Sequence, residues 1–285
     1  MKLLIITNTF GNYHRQNVAV DSWRHLKSIY PDNVDILNLQ FEDEKDTFVN
    51  PYPDIKTLFC LTNTLDIVEG ATKKLPFMSE MFSQGLSQMA DYDGFIWTNS
   101  DVIITRVLIE KIINTKPKAL ACSRLDIEDI DSFQRILEQK VKPVRWEIAG
   151  IDTCYFRKDW AETHAHLFTS NQYLMGKFLF DCHWGAIIRV YGDAQQKVEN
   201  SYPVSCFHIH HGIAAVTADC AERTWNLKVA QSNPMNIMLI NVWAFYFSQI
   251  LGRRTPYGSF LNERDDEPAI ESTYFSYMNI NRNLT

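Results

Sequence analysis

The chain has 285 residues, of which 46% are hydrophobic and 13% aromatic; 28 basic against 34 acidic side chains give a formal charge of −6. That balance, with only 11 glycines and 10 prolines, excludes disordered, collagen-like and disulfide-scaffold classes. A net acidic chain also lacks the dense Lys and Arg array that nucleic-acid binding by counterion release needs, so any anionic ligand has to be met by local charge.

The length suits one large α/β domain, or a smaller one with a C-terminal appendage. The apolar run at 3–6 is what a strand buried on both faces needs, and it stops at Thr7-Asn8-Thr9. It is too short for the core of a signal peptide. Near-helical spacing of Val18, Val20, Trp23 and Leu26 predicts a helix over 17–28. Residues 34–39 and 57–61 read as the second and third strands, the third ending at Thr62-Asn63-Thr64. Leu75-Pro76-Phe77 opens a predicted helix that runs to Met89, with Pro76 in the first turn, where a missing N–H costs nothing. Residues 94–97 form the fourth strand, which ends at Thr98-Asn99-Ser100-Asp101.

This alternation predicts a mostly parallel sheet covered on both sides, and in such sheets ligands sit beyond the carboxyl ends of the strands. Three strands that end in small hydroxyl and amide side chains point to one polar crevice built from 7–9, 62–64 and 98–101. Capping of turns and helices is the competing reading for each triplet.

Further along, 119–122 reads as a fifth strand, followed by the acidic residues Asp126, Glu128, Asp129 and Asp131 and a helix over 133–140. A strand over 146–156 is interrupted at Gly150, 178–191 has a helical pattern, and 203–211 is a final strand carrying His208, His210 and His211. From Ala221 the pattern is mostly helical, with a polar tail after Leu261. The apolar stretch 237–250, broken by Asn241 and Gln249, is too short to span about 30 Å of hydrocarbon. Burial against its own domain is expected of it, with a docking helix, a dimer surface or a shallow membrane contact as alternatives. The cysteines, Cys60, Cys122, Cys154, Cys182, Cys206 and Cys220, contain no CxxC pair. That disfavours zinc-ribbon and thioredoxin-type sites and predicts buried free thiols in a reducing cytoplasm.

The strand before Asn99 and Asp101 delivers an amide and a carboxylate two positions apart, where both can point the same way. Hard divalent cations take such oxygen donors and complete their shell with substrate phosphates. Along an extended strand His208 and His210 share a face, with His211 at its end. A metal hydrolase built on these histidines would lack an acidic partner nearby in the sequence.

Lys74-Leu75-Pro76-Phe77, a helix, and then Tyr92-Asp93-Gly94-Phe95-Ile96-Trp97-Thr98-Asn99-Ser100-Asp101 resembles the GT-A-fold glycosyltransferases, in which a D-x-D-type motif closes the nucleotide-binding half. Gly150-Ile151-Asp152-Thr153-Cys154-Tyr155-Phe156-Arg157, Phe180-Asp181-Cys182-His183-Trp184 and Cys206-Phe207-His208-Ile209-His210-His211 are similar, in order and spacing, to the G-x-D-x-F-x-F, W-D-x-W and H-x-x-H blocks of bacterial and plant nucleotide-diphospho-sugar transferases. The resemblance covers residues 1–212. Asn99 stands where D-x-D has its first acid, so the resemblance supports Asp101 as the metal ligand and leaves Asn99 an amide for ribose or sugar hydroxyls.

The resemblance implies an α/β, GT-A (Rossmann-like) fold, with a mostly parallel central sheet flanked by helices and a C-terminal helical extension. The transferase domain would span 1–220, divided into a nucleotide-binding half (1–110) and an acceptor half (111–220), with 221–285 packed on it. The implied activity moves a sugar from a UDP- or GDP-linked donor to a glycan or other hydroxyl acceptor, in surface glycan or polysaccharide synthesis. The enzyme would be cytoplasmic, at most peripheral to a membrane, and would use Mn²⁺ or Mg²⁺ held by Asp101, His208 and His211. Thr7, Asn8, Thr9, Asn99, Ser100 and Asp152 would meet the donor. Asp181 would be the general base, with Phe180 and Trp184 as aromatic walls that bind a sugar ring and raise its pKa, or it would cap the helix over 182–188. Arg15, Lys73 and Lys74 would reach the diphosphate or be solvated surface charges. The alternatives are a non-catalytic carbohydrate-binding or scaffold protein of the same fold, and a sugar-1-phosphate nucleotidyltransferase. The latter is disfavoured because 7–15 offers only Gly11 and Arg15 to a triphosphate.

Overall fold

The computed structural model describes residues 1–147, 151–177, 179–192, 204–211 and 220–251. At its centre β1 (Leu3–Thr7) lies between two parallel neighbours, β2 (Val34–Phe41) and β4 (Gly94–Thr98), and β3 (Lys56–Leu61) extends the sheet beyond β2. On the other side β9 (Thr153–Arg157) runs antiparallel to β4, and β6 (Ala119–Cys122) antiparallel to β9. The result is a mostly parallel, six-stranded sheet of order β3-β2-β1-β4-β9-β6, flanked by helices, as expected from the alternation of elements.

Successive strand residues point to opposite faces, and the two faces carry separate cores. Leu3, Ile5, Ile36, Ile96 and Tyr155 pack against α1 (His14–Ile29) and α3 (Arg106–Thr115). Leu4, Ile6, Leu37, Phe95, Trp97 and Phe156 pack against α2 (Met78–Ser87), α5 (Lys158–Thr169) and α6 (Phe180–Tyr191). Both faces are covered, which is why β1 and β4 read as unbroken apolar runs.

A second, four-stranded sheet has the order β5-β10-β7-β8, formed by β5 (Val102–Ile104), β10 (Cys206–Ile209), β7 (Arg124–Ile127) and β8 (Pro143–Glu147). β10 is antiparallel to β5 and parallel to β7. The single strand expected over 146–156 is therefore two strands in two different sheets. Residues 148–150 between them, including Gly150, lie outside the described residues, as do Phe178, Pro203 and the polar tail after Leu261.

Three boundaries differ for identifiable reasons. The first helix begins at His14 because the Gln16 side chain, accepting from Phe10 N–H at 3.0 Å and donating to Gly11 C=O at 2.9 Å, fixes the preceding loop. Pro76 precedes its helix instead of entering it. Pro76 C=O accepts from Met175 N–H and Met78 N–H donates to Tyr173 C=O, holding 76–78 extended around a bridge between Phe77 and Leu174. The helix expected over 133–140 is one turn, α4 (Gln134–Leu137), ended by Gln139 at φ 55°.

The C-terminal segment forms α7 (Ala221–Gln231) and α8 (Pro234–Leu251). Leu239, Ile240, Val242 and Trp243 are buried, as expected for the part of this stretch whose side chains are described. Among the described residues no helix is long and apolar enough to cross a membrane. All six cysteines are free, four of them buried.

Two contacts tie this segment down. A Cβ built on Gly185 of α6 would lie 2.5 Å from the Trp243 ring, so Gly185→Ala is expected to cost about 1–3 kcal/mol through overpacking, read as a lower urea midpoint. The Glu222 carboxylate, at the start of α7, accepts N–H bonds from Thr72 at 2.8 Å and Lys73 at 2.9 Å. Burial opposes its ionisation, but these backbone bonds outweigh it and lower its pKa from 4.5 to about 2. A depressed carboxylate stabilises the fold above its unfolded pKa. That contribution is lost as pH falls from 4.5 to about 2, and Glu222→Gln is expected to flatten the stability profile across that window in acid titrations of unfolding.

Candidate functional site

The carboxyl end of β4 is where the two sheets meet. The register of β4 against β9 sets Thr98 opposite Thr153, with their hydroxyls 2.9 Å apart. One residue on, Asn99 N–H donates to Asp152 C=O at 2.9 Å, and the Asn99 side-chain amide donates to the Asp152 carboxylate. The chain then turns, with Val102 N–H bonded to Asn99 C=O at 3.3 Å, and enters β5. This turn gives Asn99 and Asp101 different partners. The pair expected side by side at the strand end is separated, Asn99 joining β9 and Asp101 joining β10.

β10 is threaded between β5 and β7, so that His208 has Val102 as its register partner on one side and Asp126 on the other. Asp126 is buried at 1% exposure. Its Oδ1 lies 3.0 Å from His208 Nδ1 and 3.0 Å from Arg124 Nε, and its Oδ2 lies 3.3 Å from His210 Nδ1. Arg124 also forms an ion pair with Asp152. At the opposite edge of the ring, His208 Nε2 is 3.4 Å from Asp101 Oδ2, and His211 Nε2 is 3.7 Å from the same oxygen. The two rings meet edge to face at 4.9 Å. A continuous polar network thus runs from Asn99 through Asp152, Arg124 and Asp126 to His208, Asp101 and His211.

Among the described side chains, the carboxylates of Asp101, Asp126 and Asp152 are met by the Arg124 guanidinium and by the imidazoles of His208, His210 and His211. Burial resists ionisation of Asp101, but the bonds to His208 and His211 and the fields of His208 and Arg124 prevail, holding its pKa far below the ordinary carboxylate range. Burial likewise pushes His208 down, yet Asp101 and Asp126 raise it overall. Potential ligand atoms of Asp101, His208 and His211 all lie within 4.8 Å of one another. One carboxylate and two imidazoles form a group that can hold a divalent cation.

The other residues singled out in the sequence fall elsewhere. Thr7, Asn8 and Thr9 are buried and join β1 to β2. The Asn8 amide donates to Leu39 C=O at 2.6 Å, Thr9 N–H donates to Asn38 Oδ1 at 2.9 Å, and the Gln40 amide donates to Thr9 C=O. In the triplet at 62–64, Thr62 bonds Glu80, Asn63 caps a short 3₁₀ turn through Leu65 N–H, and Thr64 accepts from Leu75 N–H at 3.0 Å. Asn63 thus takes the capping role weighed for the triplet, while Thr62 and Thr64 bond to residues farther along the chain. Ser100 is buried in the turn after β4. Lys74 is held by Asp43 at 2.8 Å and Glu44 at 2.9 Å, while Arg15 is exposed.

Asp181 lies in the first turn of α6, where its Oδ1 accepts from Cys182 N–H at 2.9 Å. Burial pushes the thiols of Cys154 and Cys182 well up, with the charge of Asp181 a lesser cause in both. Its expected aromatic walls are core residues: Phe180 and Trp184 are 5% and 1% exposed and pack on Trp97 with ring centroids 6.1 and 5.2 Å away. Neither offers a face to a sugar. Two members of the network, Arg124 and Asp126, were not among the expected site residues. The available signal was polar–apolar alternation through Arg124-Leu125-Asp126-Ile127, which places both charged side chains on one face of a strand.

The sequence matches no protein-family model, and no curated protein matches it. Among solved structures it is similar to the mannosyltransferase PcManGT from Pyrobaculum calidifontis in complex with GDP-Man and Mn²⁺. The identity is 11%, over 98% of this chain and 82% of that one, with a TM-score of 0.40. A likeness of that degree assigns neither family nor activity.

Arg124 contacts both Asp126 and Asp152, so its removal takes a cation from two buried carboxylates at once. Arg124→Ala is expected to lower the unfolding free energy by about 3 kcal/mol, measured by urea denaturation at pH 7, with partial recovery in the Arg124→Ala, Asp152→Asn double variant.

Proposed function

We propose that the protein is a metal-dependent glycosyltransferase that moves a sugar from a nucleotide-diphosphate donor to a hydroxyl acceptor. The observation that carries this reading is the meeting of Asp101, His208 and His211 at the carboxyl end of β4, the edge at which sheets of this kind receive ligands. The ordered sequence blocks from 74 to 211 support it independently.

Asp101, His208 and His211 hold the ion, and the two imidazoles make Mn²⁺ a better match than Mg²⁺, which favours all-oxygen shells. When bound, a divalent ion supplies positive charge against the diphosphate as the bridging oxygen leaves. Asn99, Ser100 and Asp152 border the donor, their amide, hydroxyl and carboxylate groups suited to ribose and sugar hydroxyls. Thr7, Asn8 and Thr9 fix the adjoining end of β1 that such a donor rests on. Asp181 takes the proton of the acceptor hydroxyl as general base. Residues 1–220 form the transferase unit and 221–285 an extension that packs on it.

The decisive experiment is calorimetric titration with UDP and GDP, with and without Mn²⁺. One of the two is expected to bind in the presence of Mn²⁺, and Asp101→Ala is expected to weaken that binding at least tenfold. No affinity for any nucleoside diphosphate under either condition would overturn the reading. A second reading, a metal-dependent hydrolase, gains from Asp101 and Asp126 supplying the acidic partners that His208, His210 and His211 lack locally in the sequence. Tight zinc retention without nucleotide affinity would select it.

A further inference from the structure

Asp126 has no place in the glycosyltransferase reading, since at 1% exposure it is too deeply buried to touch a donor or an acceptor. It nevertheless contacts two histidines, His208 of β10 and His210 just beyond its end. Its two oxygens face His208 Nδ1 at 3.0 Å and His210 Nδ1 at 3.3 Å, and Arg124 Nε donates to it at 3.0 Å. A carboxylate has no proton to give at neutral pH, so each of these contacts requires the partner nitrogen to be the donor.

We infer that Asp126 is the positioning residue of the metal group: by accepting from His208 Nδ1–H it fixes the tautomer that leaves Nε2 bare and aimed at Asp101. Two carboxylates face the ring, and Asp126 is the nearer, 3.0 Å from Nδ1 against 3.4 Å between Asp101 and Nε2, so the single proton of the neutral ring goes to Nδ1. His208 Nε2 is the ring atom that lies 3.4 Å from Asp101 Oδ2, and a ring nitrogen can bind a cation only through a free lone pair. Without an anchor on Nδ1 the neutral ring would donate from Nε2 to Asp101 instead, closing the position an ion would occupy. Burial strengthens the anchor, because a hydrogen bond to a carboxylate is stronger where water does not compete. The second oxygen holds His210 in the same way, and Arg124 keeps the carboxylate from rotating. Metal-ligating histidines are commonly held through their other nitrogen by a carboxylate, and here the carboxylate comes from the strand beside them. Asp126 is set apart from a structural ion pair by this consequence for one proton on one ring.

The inference rests on the metal reading for its purpose but not for its first test. In the wild-type protein without added metal, at a pH where the ring is neutral, long-range ¹H–¹⁵N NMR is expected to show His208 protonated on Nδ1 and bare on Nε2. The reverse tautomer would overturn the inference. The second test measures Mn²⁺ affinity by calorimetry in wild type and in Asp126→Asn, whose single amide oxygen faces three competing donors. Folded Asp126→Asn is expected to bind Mn²⁺ 10- to 100-fold more weakly and to show a mixed His208 tautomer. Unchanged affinity and tautomer in a folded variant would overturn the inference. Should the variant not fold, the wild-type tautomer decides. Failure of wild type to bind Mn²⁺ would count against the metal reading, whereas wild-type binding with no loss in the variant would count only against the role of Asp126.

Discussion

A carboxylate buried in the middle of a sheet costs several kcal/mol unless charged or strongly polar partners surround it. Among the described residues, Asp126 meets that requirement with Arg124 from its own strand, His208 from the adjacent strand and His210 just beyond that strand's end. The arrangement works only in one register. Slipping β10 by one residue against β7 would place Phe207 or Ile209 where the histidines stand, leaving a buried charge against hydrocarbon. The same register brings His208 opposite Val102 and hence beside Asp101. A requirement of local electrostatics therefore fixes where both sheets present their polar groups.

The apolar side of the molecule is arranged with equal economy. Phe82, Phe95, Phe156, Phe168 and Trp184 form one aromatic cluster, with Phe82 stacked on Phe168 at 4.3 Å and an interplanar angle of 4° and the others meeting tilted or edge to face. Aromatic rings bury large areas and favour such contacts. This core lies directly under the carboxyl end of β4 and β9, because Trp97 and Cys154, which pack into it, are two residues from Asn99 and Asp152. A rigid aromatic floor thus supports the polar network above it.

The central sheet was legible in the sequence because β1 and β4 are buried on both faces and read as continuous apolar segments, while β2 keeps enough apolar residues around Asp35, Asn38 and Gln40 to read as a strand. Asp101, His208 and His211 were legible because strand ends and a histidine cluster are visible without knowledge of the fold. What could not be read was how they meet. β5 has three residues and β7 four, too short for alternation to stand out, so the second sheet and its acid, Asp126, were lost in an acidic stretch. Asn99 and Asp101 looked like a pair because strand geometry was extended through what is a turn. Phe180 and Trp184 looked like sugar-binding walls because aromatic residues near a carboxylate serve core and ligand alike, and only burial tells the two apart. Likewise the hydroxyls of Thr7 and Thr9 read as a crevice, while Asn38 and Gln40 on the next strand draw that segment inward.

The threading of β10 also makes the polar network a property of the whole chain. The contact between His208 and Asp126 joins residues 82 positions apart, and closing a loop of that length carries an entropic cost that no local segment can offset. β10 covers the facing edges of β5 and β7 and supplies His208 in the same placement. The network therefore exists only where the second sheet is closed, and its integrity reports on that closure.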